Sequence, residues 1–135
     1  MNVFEYAAIT EANWKANLEA MGNFIPQFTF YSDFSIAEYC EVYKDDVYAV
    51  RDTYNRVIEA WAEDYKALTE IVLMLNHKAW AFSDRVDSHY LGCSDERAEK
   101  YVNLYVKLYE EAVDEFMTRY GNNQEAMDYY FRVTD

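Results

Sequence analysis

The chain has 135 residues, of which 52% are hydrophobic, and it contains only three Gly and one Pro. This length suits one domain with a real core, and the hydrophobic content excludes intrinsic disorder. Because β-sandwiches and barrels need many turns built on Gly and Pro, the scarcity of both favours long helices. The formal net charge of −13 disfavours binding to phosphate backbones and to anionic membranes.

The hydrophobic pattern contains no targeting or membrane segment. The longest apolar run is Ile71–Leu75, far shorter than the ~20 residues of a membrane span. The first residues lack the basic and apolar regions of a signal peptide. We therefore expect a cytoplasmic protein in which Cys40 and Cys93 are reduced thiols.

The first part of the chain predicts two helices and a connection. A helix is expected over 10–21, where the apolar spacing is helical and Gly follows. Residues 23–34 hold the only proline and are predicted to form an aromatic-rich loop. Ser35 and Glu38 have the spacing of a capping box, which predicts a short helix over 36–43.

The middle of the chain predicts an amphipathic helix and then a central one. A turn is expected over 62–64, followed by a long helix over 65–82 that is apolar on almost every side near its middle. The amphipathic helix before the turn carries a stripe repeating at three and four: Val47, Val50, Tyr54, Val57, Ile58 and Trp61.

The last third predicts a loop, a long helix and a short one. The loop is expected over Asp84–Cys93, the long helix from Ser94 to Tyr120, and the short helix from Asn123. The core face of the long helix is predicted to consist of Leu104, Leu108, Ala112, Phe116 and Tyr120. Its solvent-exposed face is predicted to consist of Glu99, Asn103, Lys107, Glu110, Asp114 and Thr118. The whole pattern predicts an all-α fold, a single domain over 1–135: a compact bundle of about five to six helices around a central apolar helix near 65–82.

Motifs for metal, cofactor or catalytic chemistry are missing from the sequence. Neither of the two histidines belongs to a Glu-x-x-His pair, and no Gly-rich phosphate loop or nucleophile elbow is present. Glu70, His77 and Asp84 share one helical face, but residues seven apart lie about 10.5 Å apart along a helix, too far to share an ion. We therefore predict no catalytic, metal-binding or cofactor-binding residue and no cofactor, with His77 a structural residue.

Two alternative functions remain open from the sequence. Asp87, His89 and Cys93 bring an acid, an imidazole and a thiol into one segment, which would suit a small enzyme using the His89/Cys93 loop. Residues 36–58 are compatible with a helix-turn-helix-like regulatory protein, in which Arg51 and its neighbours would read bases. Acidic residues in that region and the absence of a turn glycine argue against duplex binding.

Carboxylates stacked along the predicted helices are the strongest positive signal. At a spacing of four they lie about 6 Å apart, comparable with charges along a nucleic-acid backbone. Such a surface suits a basic partner that normally binds DNA or RNA, with tyrosines supplying stacking surfaces. The alternative is that the charge only keeps the protein soluble. The candidate partner-binding residues are Glu59, Glu63, Glu110, Glu111, Asp114 and Glu115, together with a tyrosine row of Tyr101, Tyr105 and Tyr109. A homodimer through this row is the alternative to burying it.

Three stretches carry a resemblance to other proteins: residues 76–82, 86–95 and 125–131. In these stretches the chain resembles an uncharacterised family of small acidic helical proteins found on mobile genetic elements of gut bacteria. The resemblance implies a counter-defence role, because mobile elements often encode small inhibitors of restriction or CRISPR nucleases. It transfers no site residue, since the family has no established activity.

The sequence thus predicts a non-catalytic acidic interaction protein. The specific hypothesis is a nucleic-acid-mimicking inhibitor of a DNA-binding host defence enzyme, of the anti-restriction or anti-CRISPR type. Its partner would be a basic protein surface, with no direct contact to nucleic acid or membrane.

Overall fold

The described part of the protein consists of four helices. The computed structural model describes residues 48–88 and 95–134, together with Ala16, which is helical and exposed. The helices are α1 (Tyr48–Trp61), α2 (Tyr65–Ser88), α3 (Asp95–Tyr120) and α4 (Gln124–Thr134). No strand occurs within these ranges, which confirms the all-α prediction for them. Ala16 apart, the predicted helices over 10–21 and 36–43 and the loop over 23–34 lie outside the described residues.

Helix α2 begins at the predicted turn but ends later than predicted. Asp64 caps its start, because Oδ1 accepts hydrogen bonds from the backbone N–H of Lys66 at 2.9 Å and of Ala67 at 3.4 Å. The prediction of a loop from Asp84 is wrong up to Ser88, where the helix still continues. The polar residues there suggested a loop, but no Gly or Pro interrupts the helical backbone.

The connection between α3 and α4 is short and well capped. The backbone N–H of Gly121 donates to the carbonyl oxygen of Met117 at 2.9 Å, and helix α3 ends there as predicted. Oδ1 of Asn123 accepts a hydrogen bond from the backbone N–H of Ala126 at 3.1 Å. Asn123 is therefore the N-cap of α4, as its position predicted.

Helices α2 and α3 form an antiparallel hairpin with the most extensive helix–helix packing in the described structure. Near one end, the ring of Phe82 stacks on the rings of Tyr101 and Tyr105, with centroids 5.1 Å and 5.7 Å apart. At the other end, the rings of Tyr65 and Tyr120 meet edge to face at 6.0 Å. Aromatic pairs of this kind contribute beyond their buried area, so they fix the register of the hairpin.

Helix α1 runs parallel to α3. Near the start of α1, Arg51 pairs with Glu111, and just past its end the carbonyl of Ala62 accepts a hydrogen bond from the Tyr120 hydroxyl at 2.6 Å. These two contacts hold the helices side by side over about ten residues of each chain segment. The space between their exposed edges forms a groove.

The core is centred on α2, as predicted. Leu68, Ile71, Met74 and Leu75 are fully buried, and α2 contacts each of the other three helices. Helix α4 closes the bundle, where the ring of Tyr130 packs on that of Phe116 with centroids 4.5 Å apart. Among the helices described, none combines the length and hydrophobicity that a membrane crossing requires.

Candidate functional site

The groove between α1 and α3, called the acidic groove here, is the candidate site. Its volume is about 420 Å³, within the range of ligand pockets. Most of its lining residues are charged or polar, because they flank the buried stripes of two amphipathic helices. It is lined by Arg51, Tyr54, Asn55, Ile58 and Glu59 from α1 and by Glu111, Asp114, Glu115 and Thr118 from α3.

The acidic groove contains a bidentate ion pair between Arg51 and Glu111. Both terminal nitrogens of Arg51 donate to the carboxylate of Glu111, and the Nη2–Oε1 distance is 2.8 Å. This hydrogen bonding holds the pKa of Glu111 below its usual value and raises that of Arg51. The guanidinium also lies over the ring of Tyr54, 5.5 Å from its centroid. The groove thus already holds one guanidinium between a carboxylate and an aromatic face.

The remaining carboxylates leave the groove negative. Glu115 accepts a hydrogen bond from Nε of Arg119 at 2.6 Å, which offsets its charge. Glu59 and Asp114 form no ion pair in the described part of the chain. Four carboxylates and a single guanidinium line the groove, so cations are attracted to it and anions repelled.

Tyr54 is the groove residue that sequence reasoning placed only in the core. Its side chain is 5% exposed, yet it lines the groove. Burial, followed by the nearby carboxylates of Glu111 and Glu115, raises the pKa of its hydroxyl. The stripe spacing predicts burial of Tyr54, but no sequence signal indicates that α3 lies beside it.

Four of the six predicted acidic residues meet in the acidic groove: Glu59, Glu111, Asp114 and Glu115. Glu63 does not, since α1 ends at Trp61 and Glu63 lies exposed in the turn that follows. The prediction that Glu59 and Glu63 stack on one rigid helix is therefore wrong. Glu110 is also exposed but lies on another side of α3, where it lines a smaller groove beside Trp80.

The predicted tyrosine row is mostly inside the fold. Tyr101 and Tyr105 are 2% and 0% exposed, because Phe82 stacks on both in the α2–α3 interface. They are thus not surface residues, and their inclusion in a partner-binding face is corrected. Tyr109 is half-buried and lines the smaller groove with Trp80. The predicted solvent-exposed face of α3 is confirmed, since all six of its residues are exposed: Glu99, Asn103, Lys107, Glu110, Asp114 and Thr118.

The residues of the alternative functions are placed only in part. His89 and Cys93 lie outside the described residues, as does the side chain of Asp87. Within the described residues, no group of three or more His, Cys, Asp or Glu side chains is arranged to hold a metal ion. Arg51, the predicted base-reading residue, is held by Glu111.

A buried carboxyl group lies between α2 and α4. Glu70 is fully buried, and its Oε1 accepts a hydrogen bond from the Tyr129 hydroxyl at 3.0 Å, whereas Oε2 has no hydrogen bond within the described structure. Burial raises the pKa of Glu70 to about 7, although the hydrogen bond from Tyr129 lowers it in part. Burial also lowers the pKa of His77, which lies about two turns further along α2.

Comparison with protein families, with curated proteins and with solved structures finds no match to this chain. The resemblance in residues 76–82, 86–95 and 125–131 stays a prediction.

Proposed function

We propose that this protein is a non-catalytic interaction protein that uses an acidic surface to occupy the nucleic-acid-binding site of a basic partner. The observation that supports the proposal best is the convergence of Glu59, Glu111, Asp114 and Glu115 on one groove between two rigid helices. The net charge of −13 extends this negative field over the molecule and would accelerate the encounter with a basic protein.

The class of partner follows from the same charges. Carboxylates four residues apart on α3 are about 6 Å apart, and they present negative charge to a partner as a phosphate backbone does. The predicted resemblance to acidic proteins of mobile genetic elements favours a restriction or CRISPR nuclease as the partner. The protein would block such an enzyme by competing with duplex DNA for its basic groove.

The test is a binding panel of purified restriction and CRISPR nucleases. Each nuclease is immobilised without DNA, and the affinity of this protein is measured at low and at high salt. We expect binding to one or more of them that weakens as salt rises, because attraction between surface charges is screened. We also expect a short duplex to compete for the same site.

The groove is then tested with matched variants. Glu59→Gln/Asp114→Asn removes two groove charges, whereas Asp52→Asn/Glu99→Gln removes two exposed charges elsewhere. The first pair should weaken binding more than the second. Binding to no nuclease in the panel at low salt, affinity independent of salt, or simultaneous binding of duplex and protein would each contradict the proposal.

A further inference from the structure

We infer that the smaller groove, between α2 and α3, is a docking site for one amphipathic helix of a basic partner. The apolar stripe of that helix would enter the groove, and its lysines or arginines would lie along the acidic edge that α3 provides. Two of the predicted partner-binding residues, Tyr109 and Glu110, line this groove. The inference goes beyond the proposed function, because nucleic-acid mimicry uses the acidic groove on another side of α3.

The first observation is the shape of the smaller groove. Its volume is about 330 Å³, and it follows the seam between two antiparallel helices. Ala79 is small and buried, so it leaves space between the larger side chains of Trp80 on α2 and Val106 on α3. Side chains of a third helix can enter such a seam, as ridges of one helix enter the grooves of another.

The second observation is the exposure of large apolar side chains at this groove. Trp80 is 70% exposed and Val106 is 42% exposed, and the half-buried Val102 and Tyr109 continue the apolar surface along α3. Removing such surface from water favours binding, and tryptophan is enriched among the residues that dominate the energy of protein interfaces. The groove therefore offers an apolar stripe with a tryptophan beside it.

The third observation is the charge along one edge. Glu110 is the charged residue that lines the groove, and the polar lining residues of α2 are neutral. Glu99 and Glu110 are both exposed, lie within about 40° of Val106 around the helix axis, and are roughly 16 Å apart along it. Lys107 is about 100° from Val106 and points further from the groove. The edge is thus acidic over about three helical turns.

These features together indicate the occupant. An amphipathic helix placing its apolar face in a hydrophobic groove is a recurring mode of peptide recognition. The acidic edge on α3 selects a helix whose apolar stripe is flanked by basic residues. A second copy of this chain is disfavoured, because each copy carries a net charge of −13 and the two Glu110 side chains would approach each other.

The experiment uses three peptides of about 18 residues, or five helical turns, that contain no tryptophan. The first has a stripe of leucines at helical spacing and lysines elsewhere. The second keeps the leucines and has glutamates in place of the lysines, and the third has the composition of the first with the leucines spread around the helix. Binding to the full chain is measured by calorimetry and by tryptophan emission at about 0.15 M salt.

We expect the first peptide to bind at least tenfold more tightly than the other two. Its binding should shift tryptophan emission to shorter wavelength, because the indole of Trp80 leaves water. Trp80→Phe should keep most of the affinity and lose the shift. Trp80→Ala should weaken binding at least tenfold, as expected for a tryptophan at the centre of an interface.

The matched control for Trp80→Ala is Tyr48→Ala, since Tyr48 is also 70% exposed but lies on α1 and does not line the groove. It should stay within twofold of the unsubstituted chain. Glu110→Gln should weaken binding two- to threefold, and more than Glu63→Gln, which removes the same charge from the turn after α1. Helix content of each variant is compared with that of the unsubstituted chain. If Trp80→Ala loses helix content, Val106→Gln carries the test.

The outcomes also separate this inference from the proposed function. Equal affinity for the three peptides, equal losses in Trp80→Ala and Tyr48→Ala, or no binding would each overturn the docking site. Sedimentation that shows a dimer of this chain dissociated by Trp80→Ala would assign the groove to a second copy and overturn it as well. None of these results bears on the nuclease panel, whose variants lie outside the smaller groove. Conversely, binding of the first peptide through Trp80 with no nuclease bound would support the docking site and contradict nucleic-acid mimicry.

Discussion

At the scale of single residues, Glu70 is a buried acid whose titration should make the stability of the fold depend on pH. Its carboxyl group is fully buried and has Tyr129 as hydrogen-bond donor, while the cations of Lys66 and Arg132 lie over the Tyr129 ring, 5.7 Å and 5.3 Å from its centroid. Both cations therefore contact the tyrosine ring and not the carboxyl group of Glu70. Glu70 has no ion pair with either, so its charged form is poorly compensated.

Glu70 should make the folded state less stable as pH rises. The unfolded chain releases this proton near the ordinary carboxyl pKa of 4.5 and the folded chain at about 7. Between these values the folded chain binds more protons, so the free energy of unfolding falls by about 3 kcal/mol in total, the loss being complete a little above pH 7. His77 opposes this, because its lowered pKa makes stability rise with pH up to its ordinary value of 6.5.

Glu70→Gln isolates the contribution of Glu70, since it removes the titration and leaves His77 in place. Urea unfolding at several pH values between about 5 and 8 should show that the decline with rising pH is smaller in the variant than in the unsubstituted chain. Tyr129→Phe removes the hydrogen bond that lowers the pKa of Glu70 and should shift the decline to higher pH. Parallel pH profiles in the unsubstituted chain and Glu70→Gln would show that Glu70 titrates normally.

At the scale of helices, periodicity predicts most of the described fold, while contacts between helices are not predictable from it. Leu108, Ala112 and Phe116 lie on the buried face as their spacing requires. The sequence does not predict the end of α2, because the polar residues before Ser88 resemble a loop although none of them is a helix breaker. It does not predict the burial of Glu70 either, since nothing in the sequence shows that Tyr129 of α4 lies beside this carboxyl group.

The candidate site follows the same rule. The sequence places Asp114 and Glu115 three and four residues after Glu111, and this spacing brings the three side chains to one face of the helix. It does not show that Arg51 and Tyr54 of another helix lie opposite, since that depends on how α1 packs along α3. Predicting a site that spans two helices therefore requires knowledge of how the helices pack as well as of their hydrophobic periodicity.

Gly121 offers a test in which chain entropy and packing predict opposite signs. Replacing Gly by Ala reduces the conformational entropy of the unfolded chain, which favours the folded state by about 0.4–1 kcal/mol. A Cβ atom built on Gly121 would lie 2.5 Å from the carbonyl oxygen of Met117, which is backbone and has little freedom to move. We expect the steric effect to dominate, so Gly121→Ala should lower the free energy of unfolding by about 1–3 kcal/mol.

The control for Gly121→Ala is Asn122→Ala, at the next residue, which is exposed in the same turn. Its free energy of unfolding should stay within about 0.5 kcal/mol of the unsubstituted chain, as is usual for surface positions. Chemical denaturation of both variants measures the difference. A Gly121→Ala protein at least as stable as the unsubstituted chain would mean that the α3–α4 connection adjusts without strain.

At the scale of the whole molecule, charge repulsion should weaken folding at low salt. The chain has 25 acidic and 12 basic residues, so we expect repulsion between carboxylates to outweigh the attraction within ion pairs. In the described part of the chain, the pairs Arg51–Glu111 and Arg119–Glu115 are both partly exposed. The Debye length falls from about 30 Å at 0.01 M to about 8 Å at 0.15 M, which screens repulsion over the width of the bundle. The melting temperature should therefore rise by a few degrees over this range.

Two substitutions to the same residue on one face of α3 test whether net charge is the cause. Glu110→Gln removes a negative charge and Lys107→Gln removes a positive one, and both side chains are exposed. At low salt we expect Glu110→Gln to raise the melting temperature and Lys107→Gln to lower it, with the salt dependence weakened in the first and strengthened in the second. Because both variants lose one charged side chain to glutamine, a shift of the same sign in both would assign the effect to local helix contacts. A melting temperature that falls with added salt would mean that attraction within ion pairs outweighs repulsion between carboxylates. The acidic surface would then destabilise the folded state less than the net charge implies.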